Sequence, residues 1–232
     1  MGQKVNPLGF RLKIRQNYLS KWYSLKNNYK LLNFEDYYIR LKLNNFLFNK
    51  LTFADIQIFR INNFNIHLQP IILINLSILY PKFNILKFIN LKKIKKKVQK
   101  YYIIFLIKKQ LKQFIYYFFQ KTKKQYFFNI ILIKNQFINA MLIAKFISFQ
   151  LKQRIPFRRI ISIIFQNIKK IILKGIKIQL SGRLNGIEIA RREWQLYKQV
   201  PLHTLIANID YISYPVKTIY GLIGIKIWLY QK

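Results

Sequence analysis

Cysteine is absent from the 232 residues, which excludes a disulfide framework, a thiolate metal site and any reading of redox compartment. Acid is scarce as well: 6 Asp and Glu stand against 42 Lys and Arg, for a formal net charge of +36. No acidic residue falls between Asp55 and Glu188, so the excess runs through the chain and is not a basic tail on a neutral domain. A free globular protein with this imbalance repels itself. A polyanionic partner is implied, and nucleic acid is the usual one.

The scarcity extends to groups that do chemistry. His67 and His203 are far apart, and neither stands in a metal-ligand spacing. Glu35 and Asp36 are adjacent, so on a helix they point to different faces. Glu188 and Glu193 differ by an odd number and would face opposite sides of one strand. Ion pairing with Arg183, Arg191 and Arg192 explains those two acids better than acid–base work. No catalytic residue, metal or cofactor is expected, and the chain reads as a non-enzyme.

Long apolar runs are missing too. Ile71 to Leu79, Tyr101 to Ile107 and Phe137 to Phe149 are short or broken by Lys and Asn, well below the roughly 20 residues of a membrane span. A charge arrives at Lys4 with no apolar stretch behind it, so a secretory leader is not expected. Asn6 stands where a myristoylation site wants Ser or Thr. The lack of a transit peptide suits a protein made inside its organelle.

What the chain does have is apolarity alongside charge. Hydrophobic residues make up 52% and aromatics 17%, enough to bury a core. Ile, Lys, Asn, Phe, Tyr and Leu crowd the middle, as an AT-rich coding genome such as that of a small organelle would produce.

Along the chain, residues 1–33 read as a basic arm with little periodicity. Phe34 to Leu51 reads as an amphipathic helix, with Tyr38, Leu41, Asn45 and Phe48 at helical spacing and both acids in its first turn. Strands are predicted over Asp55 to Ile61 and Phe64 to Leu68, joined at Asn62-Asn63 and closed by Pro70. A helix follows from Pro81 to Lys100. Residues 108–124 alternate lysine with aromatic clusters and read as part of an insertion, about 101–126. A strand over Phe127 to Ile133 precedes two helices, Phe137 to Gln153 and Pro156 to Leu173, with Pro156 at the first helical position.

Five of the seven glycines lie at or after Gly175. There Ile176, Ile178 and Leu180 alternate with polar residues, as do Ile225, Ile227 and Leu229. Four antiparallel strands on two helices would bury these faces, an α+β arrangement. The string Gly221-Leu222-Ile223-Gly224 is a GxxG, but it holds no cation between strand-like segments; a turn, bulge or close-packed strand is the better reading. Arg154, Arg158 and Arg159 surround the start of a helix, where arginines suit phosphate forks. Arg183 with Arg191-Arg192, and the run Lys92-Lys93-Ile94-Lys95-Lys96-Lys97, are further candidate phosphate contacts.

The opening Met1-Gly2-Gln3-Lys4-Val5-Asn6-Pro7-Leu8-Gly9-Phe10-Arg11-Leu12 resembles the N-terminus of the third small-subunit ribosomal protein family of bacterial type. The stretches GIKIQLSGRLNGIEIARREW from Gly175, VPLHTLIANIDY from Val200 and KTIYGLIGIKIW from Lys217 are similar to that family in order and spacing. The resemblance implies an α+β chain: a KH-type (type II) domain with a degenerate loop over residues 34–134, then a domain of two helices packed on a four-stranded antiparallel sheet over 135–232. It implies a place in the head of the small subunit, with small-subunit rRNA, mRNA and the neighbouring head proteins ten and fourteen as partners, no membrane, and no homo-oligomer. Arg154, Arg158 and Arg159 would face mRNA, with Ser162 replacing a third basic position. Lys4, Arg11, Lys13, Arg15, Lys92, Lys93, Lys95, Lys96, Lys97, Arg183, Arg191 and Arg192 would hold rRNA. The KH loop should fall between Pro70 and Asn84, where no glycine occurs, so no RNA clamp is expected there. That loss and the insertion point to a plastid, a non-photosynthetic one included, ahead of a mitochondrion. The alternatives are a free organellar RNA-processing factor, which would need a catalytic group or second domain, and a lipid-bound protein, which would need one helix with separate basic and apolar faces.

Overall fold

The computed structural model describes residues 4–14, 16–48, 53–61, 71–79, 109, 111–118, 120, 122, 124–169 and 173–231. The chain forms two compact units, one of Leu19–Lys134 and one of Met1–Tyr18 with Asn135–Lys232. Residues 4–14 and 16–18 therefore belong with the C-terminal half and are not a free arm.

In the Leu19–Lys134 unit, strands β1 (Ser20–Lys21), β2 (Phe53–Ile61), β3 (Ile71–Leu79) and β4 (Gln125–Ile133) form one sheet in that order. β1 runs parallel to β2, β2 antiparallel to β3, and β3 parallel to β4. Helix α2 (Lys26–Phe48) begins eight residues before the sequence suggested, so Glu35 and Asp36 sit mid-helix and not in the first turn. Among its described residues the buried apolar positions are Ile39 and Leu43, offset from the expected stripe. Residues 111–118 form helix α3. Leu111, Phe114 and Phe118, spaced i, i+3, i+7, enter the core with Ile58, Ile74 and Leu76. Lys112 lies between these core positions, on a helix that covers the sheet within the Leu19–Lys134 unit.

The sequence pattern does not mark β3 as a strand, because both of its neighbours pair along its length and its apolar run is nearly continuous, as in strands with a parallel partner. The expected strand over 64–68, the turn at 62–63 and the helix over 81–100 lie outside the described residues, as does any loop beyond Leu79.

Glu35 and Asp36 are bridged by a single cation. Arg60 on β2 reaches Glu35 at 2.6 Å through Nη1 and Asp36 through Nε and Nη2. Asp36, fully buried, also accepts from Ser20 Oγ at 2.8 Å and Trp22 Nε1 at 2.7 Å. Lys124 closes on Glu35 at 2.8 Å. These acids lock α2, β1, β2 and the start of β4 together.

In the other unit, β5 (Gly175–Gly182), β6 (Arg191–Lys198), β7 (Ile209–Thr218) and β8 (Gly221–Tyr230) form an antiparallel sheet ordered β6-β5-β8-β7. Helices α4 (Ala140–Lys152) and α5 (Phe157–Lys169) cover one face. Ile143, Ile147, Ile160 and Ile164 meet Ile176, Ile178, Ile225 and Ile227 in a single core, each such side chain contributing roughly 1.5–3 kcal/mol. Asn139 Oδ1 caps α4 by accepting from Met141 N–H at 2.8 Å, and Asp210 Oδ2 accepts from Ala140 N–H at 2.8 Å. The GxxG string opens β8 as a close-packed strand: a Cβ on Gly224 would stand 2.9 Å from Ser181 Oγ.

The N-terminal helix α1 (Pro7–Phe10) is capped by Asn6 with Pro7 in its first turn. It places Arg11 inside the protein. The guanidinium donates to the carbonyls of Pro7, Pro201, Leu202, Thr204 and Ala207 at 2.8–3.3 Å, with no carboxylate beside it. Gln16 Nε2 adds a bond to Ile209 O at 2.5 Å.

Candidate nucleic-acid interface

Several cations expected at RNA are on the surface, and some are brought together from separate segments. Arg158 and Arg159 lie exposed in the first turn of α5. Pro156 precedes the helix as its cap: its carbonyl accepts from Arg159 N–H at 3.0 Å and Ile160 N–H at 3.2 Å. The outward face continues through Ser162, Gln166 and Lys169. Ser162 is turned back on the helix, its hydroxyl donating to Arg158 O at 3.0 Å. Cations at a helix N-terminus oppose the local dipole, an arrangement that an external anion relieves.

Arg154 does not share that face. It follows the C-cap Gln153 of α4 at φ 61, in the position usually given to glycine. Ile155 N–H bonds to Gln150 O at 3.2 Å and Arg154 N–H to Leu151 O at 3.0 Å, closing the helix in a Schellman turn. The left-handed backbone costs roughly 1–2 kcal/mol for a residue with a Cβ. It aims Arg154 into a cleft shared with Arg183, Lys152 and Lys217.

Arg183, Arg191 and Arg192, close in sequence, also stay together at one end of the second sheet. Arg192 pairs with Ser181 and Arg191 with Gly182 on edge strand β6, so the two adjacent arginines project to opposite faces. No ion pair among the described residues involves Glu188 or Glu193, which corrects the pairing inferred for them. Lys4 and Lys13 are exposed. Arg11 is corrected: it is 0% exposed and its donors are taken by backbone carbonyls, so it holds the fold and not RNA. Arg15, Lys92, Lys93, Lys95, Lys96 and Lys97 lie outside the described residues.

The face of the second sheet turned away from the helices carries a feature the sequence did not reveal. Lys177 Nζ lies 4.9 Å from the Trp194 ring centroid and 5.4 Å from that of Trp228, and Trp228 stacks toward Tyr211 at 5.3 Å. Burial, and then the charge of Lys4, lower the Lys177 pKa from its ordinary value. Trp194 is 57% exposed. The signal was the alternation of Lys177 within β5, but its ring partners come from two other strands. Aromatic planes with interleaved cations are the pattern that single-stranded RNA recognition uses.

Residues 147–229 match the family described as ribosomal protein S3, C-terminal domain. Over its whole length the chain is 36% identical to small ribosomal subunit protein uS3c of Guillardia theta, covering 95% of that protein. It is 34% identical to uS3c of Physcomitrium patens, covering 99%. The chain belongs to the uS3 family. Bacterial uS3 proteins match as well, that of Pseudomonas aeruginosa strain UCBPP-PA14 at 36% identity with 90% covered. The uS3 family is one of structural ribosomal proteins and not of enzymes, and the described residues hold no cluster of His, Cys, Asp and Glu able to bind a metal. No described helix is long and apolar enough to cross a membrane.

Proposed function

We propose that this uS3 chain is a structural constituent of a plastid small ribosomal subunit, binding rRNA in the head and lining the channel through which mRNA enters. The observation that carries the reading is full-length similarity to uS3c proteins, joined to a net charge of +36 that only a polyanion balances. Lys4, Lys13, Arg183, Arg191 and Arg192 are the rRNA contacts in this reading, with the lysine run 92–97. Exposed Arg158 and Arg159, set where the α5 dipole is already positive, are the mRNA contacts. Ser162, bonded to its own helix, adds no charge to that face and weakens unwinding of structured mRNA.

The Leu19–Lys134 unit is read as a KH-type fold without its RNA clamp. A mixed sheet with helices on one face supports the fold, and the lack of glycine between Pro70 and Asn84 removes the loop that lets backbone approach backbone. Head proteins ten and fourteen are the proposed neighbours, and the chain acts as one copy per subunit. Sedimenting an organelle lysate on a gradient tests the reading: the chain travels with small-subunit rRNA. Recovery among free proteins, or with another RNA, overturns it.

A further inference from the structure

The cations that converge on the cleft beside the β7–β8 turn come from three segments that the sequence keeps apart. Lys152 ends α4 and Arg154 follows it, Arg183 follows β5, and Lys217 lies in the last residues of β7; among the described residues no carboxylate lines the space. The volume of about 500 Å³ is that of a small-ligand site. One wall is apolar and aromatic. Tyr220 is 45% exposed and Ile219 72%, both at the tip of the turn.

Three details define the shape of the cleft. Gly186, at φ +83, lets backbone pass so near Tyr220 that a Cβ would sit 3.1 Å from the ring. Arg183 lies with its guanidinium carbon 5.9 Å from the Tyr220 centroid, and its Nε is held by Ile187 O at 3.1 Å. Its terminal nitrogens have no hydrogen-bond partner among the described residues. Arg154 reaches the same cleft from the left-handed backbone that closes α4, at φ 61.

A phosphate suits the guanidinium forks, and a base suits a ring and an isoleucine. An acidic peptide would use the cations and leave the aromatic wall bare. We propose that this cleft holds one unstacked nucleotide of RNA, its phosphate on Arg154, Arg183 and Lys217 and its base against Tyr220 and Ile219. The proposal rests on the ribosomal reading and names a binding site within it. The nucleotide comes from rRNA or from mRNA, which share this chemistry.

Because the chain has no cysteine, Ile219→Cys creates a unique thiol at the rim. The variant is labelled with an azide photo-crosslinker as the isolated chain, assembled into small subunits and irradiated, and the RNA adduct is mapped by reverse-transcription stops. Tyr23→Cys, exposed 81% in the other unit, is the reference site. The expected result is an adduct confined to one or two nucleotides. Its yield falls about tenfold or more when Arg154→Gly and Arg183→Ala remove both forks, and falls also with the surface change Lys217→Ala. Glycine keeps the left-handed turn at 154 intact. An adduct in message-free subunits assigns the nucleotide to rRNA, and one that needs added message assigns it to mRNA; both support the cleft. An adduct to a neighbouring protein, no adduct in assembled subunits, or a yield indifferent to the arginines overturns the cleft and leaves the ribosomal role standing. Absence of the chain from subunits overturns both.

Discussion

Arg11 Nε donates to Ala207 O at 2.9 Å across 196 residues of chain. Through this bond and its companions the opening segment is fastened to the turn between β6 and β7. Replacing Arg11 with Met removes the donors from carbonyls buried around it. The loss is expected to be about 1–3 kcal/mol, the cost of leaving buried polar groups unsatisfied, read as a lower urea midpoint. A change within 0.5 kcal/mol would return Arg11 to the surface and to RNA.

Arg60 gives a parallel case in the other unit. Arg60→Met strands Asp36, fully buried, with only Ser20 and Trp22 as donors. About 3–5 kcal/mol of destabilisation is expected. The double change Arg60→Met with Asp36→Asn should recover part of it, because the uncompensated charge is gone. Equal loss in the single and double variants would show that packing, and not charge, is at stake.

Much of the C-terminal unit was legible in the sequence. Ile176-Ile178-Leu180 and Ile225-Ile227-Leu229 alternate because one face of their sheet is covered and the other is open, so the pattern carries the fold. β3 and α3 were hidden for opposite reasons. β3 is apolar on both sides, and α3 spaces Leu111, Phe114 and Phe118 among lysines and further aromatics that blur the stripe. Charge alone could not separate Arg11 from Lys13, since a guanidinium is as well satisfied by five carbonyls as by a phosphate. The cleft of Arg154 and Arg183 and the ring sandwich of Lys177 depend on which strands become neighbours, and no local pattern records that.

Tyr126 gives a pH signature. Burial raises its phenol pKa from 10.0 to about 12, with the negative charge of Glu35 acting in the same direction and the Thr122 hydrogen bond against it. The folded state holds the proton more tightly than the unfolded chain. Stability from this group is therefore full below pH 10 and is lost as pH rises from 10 to about 12. Tyr126→Phe should flatten that part of the stability profile, measured by urea unfolding at pH 9 to 12. An unchanged slope would mean that the phenol is not the group responsible.

For Arg158 and Arg159, changing both to Ala should leave subunit assembly intact. Translation of messages with stable structure near the point where mRNA enters should slow, by a few-fold and not by orders of magnitude, since Ser162 already lessens the charge there. Equal translation of structured and unstructured messages, or failure to assemble, would remove the mRNA role.

The account's central claim is that this chain is a fixed part of the small subunit and not a factor that visits it. The direct measurement is the ratio of chain to small-subunit rRNA in the sedimented subunit peak, before and after a high-salt wash. One copy per rRNA that survives the wash is the result predicted. A ratio well below one, or a chain released entirely by salt, contradicts the claim.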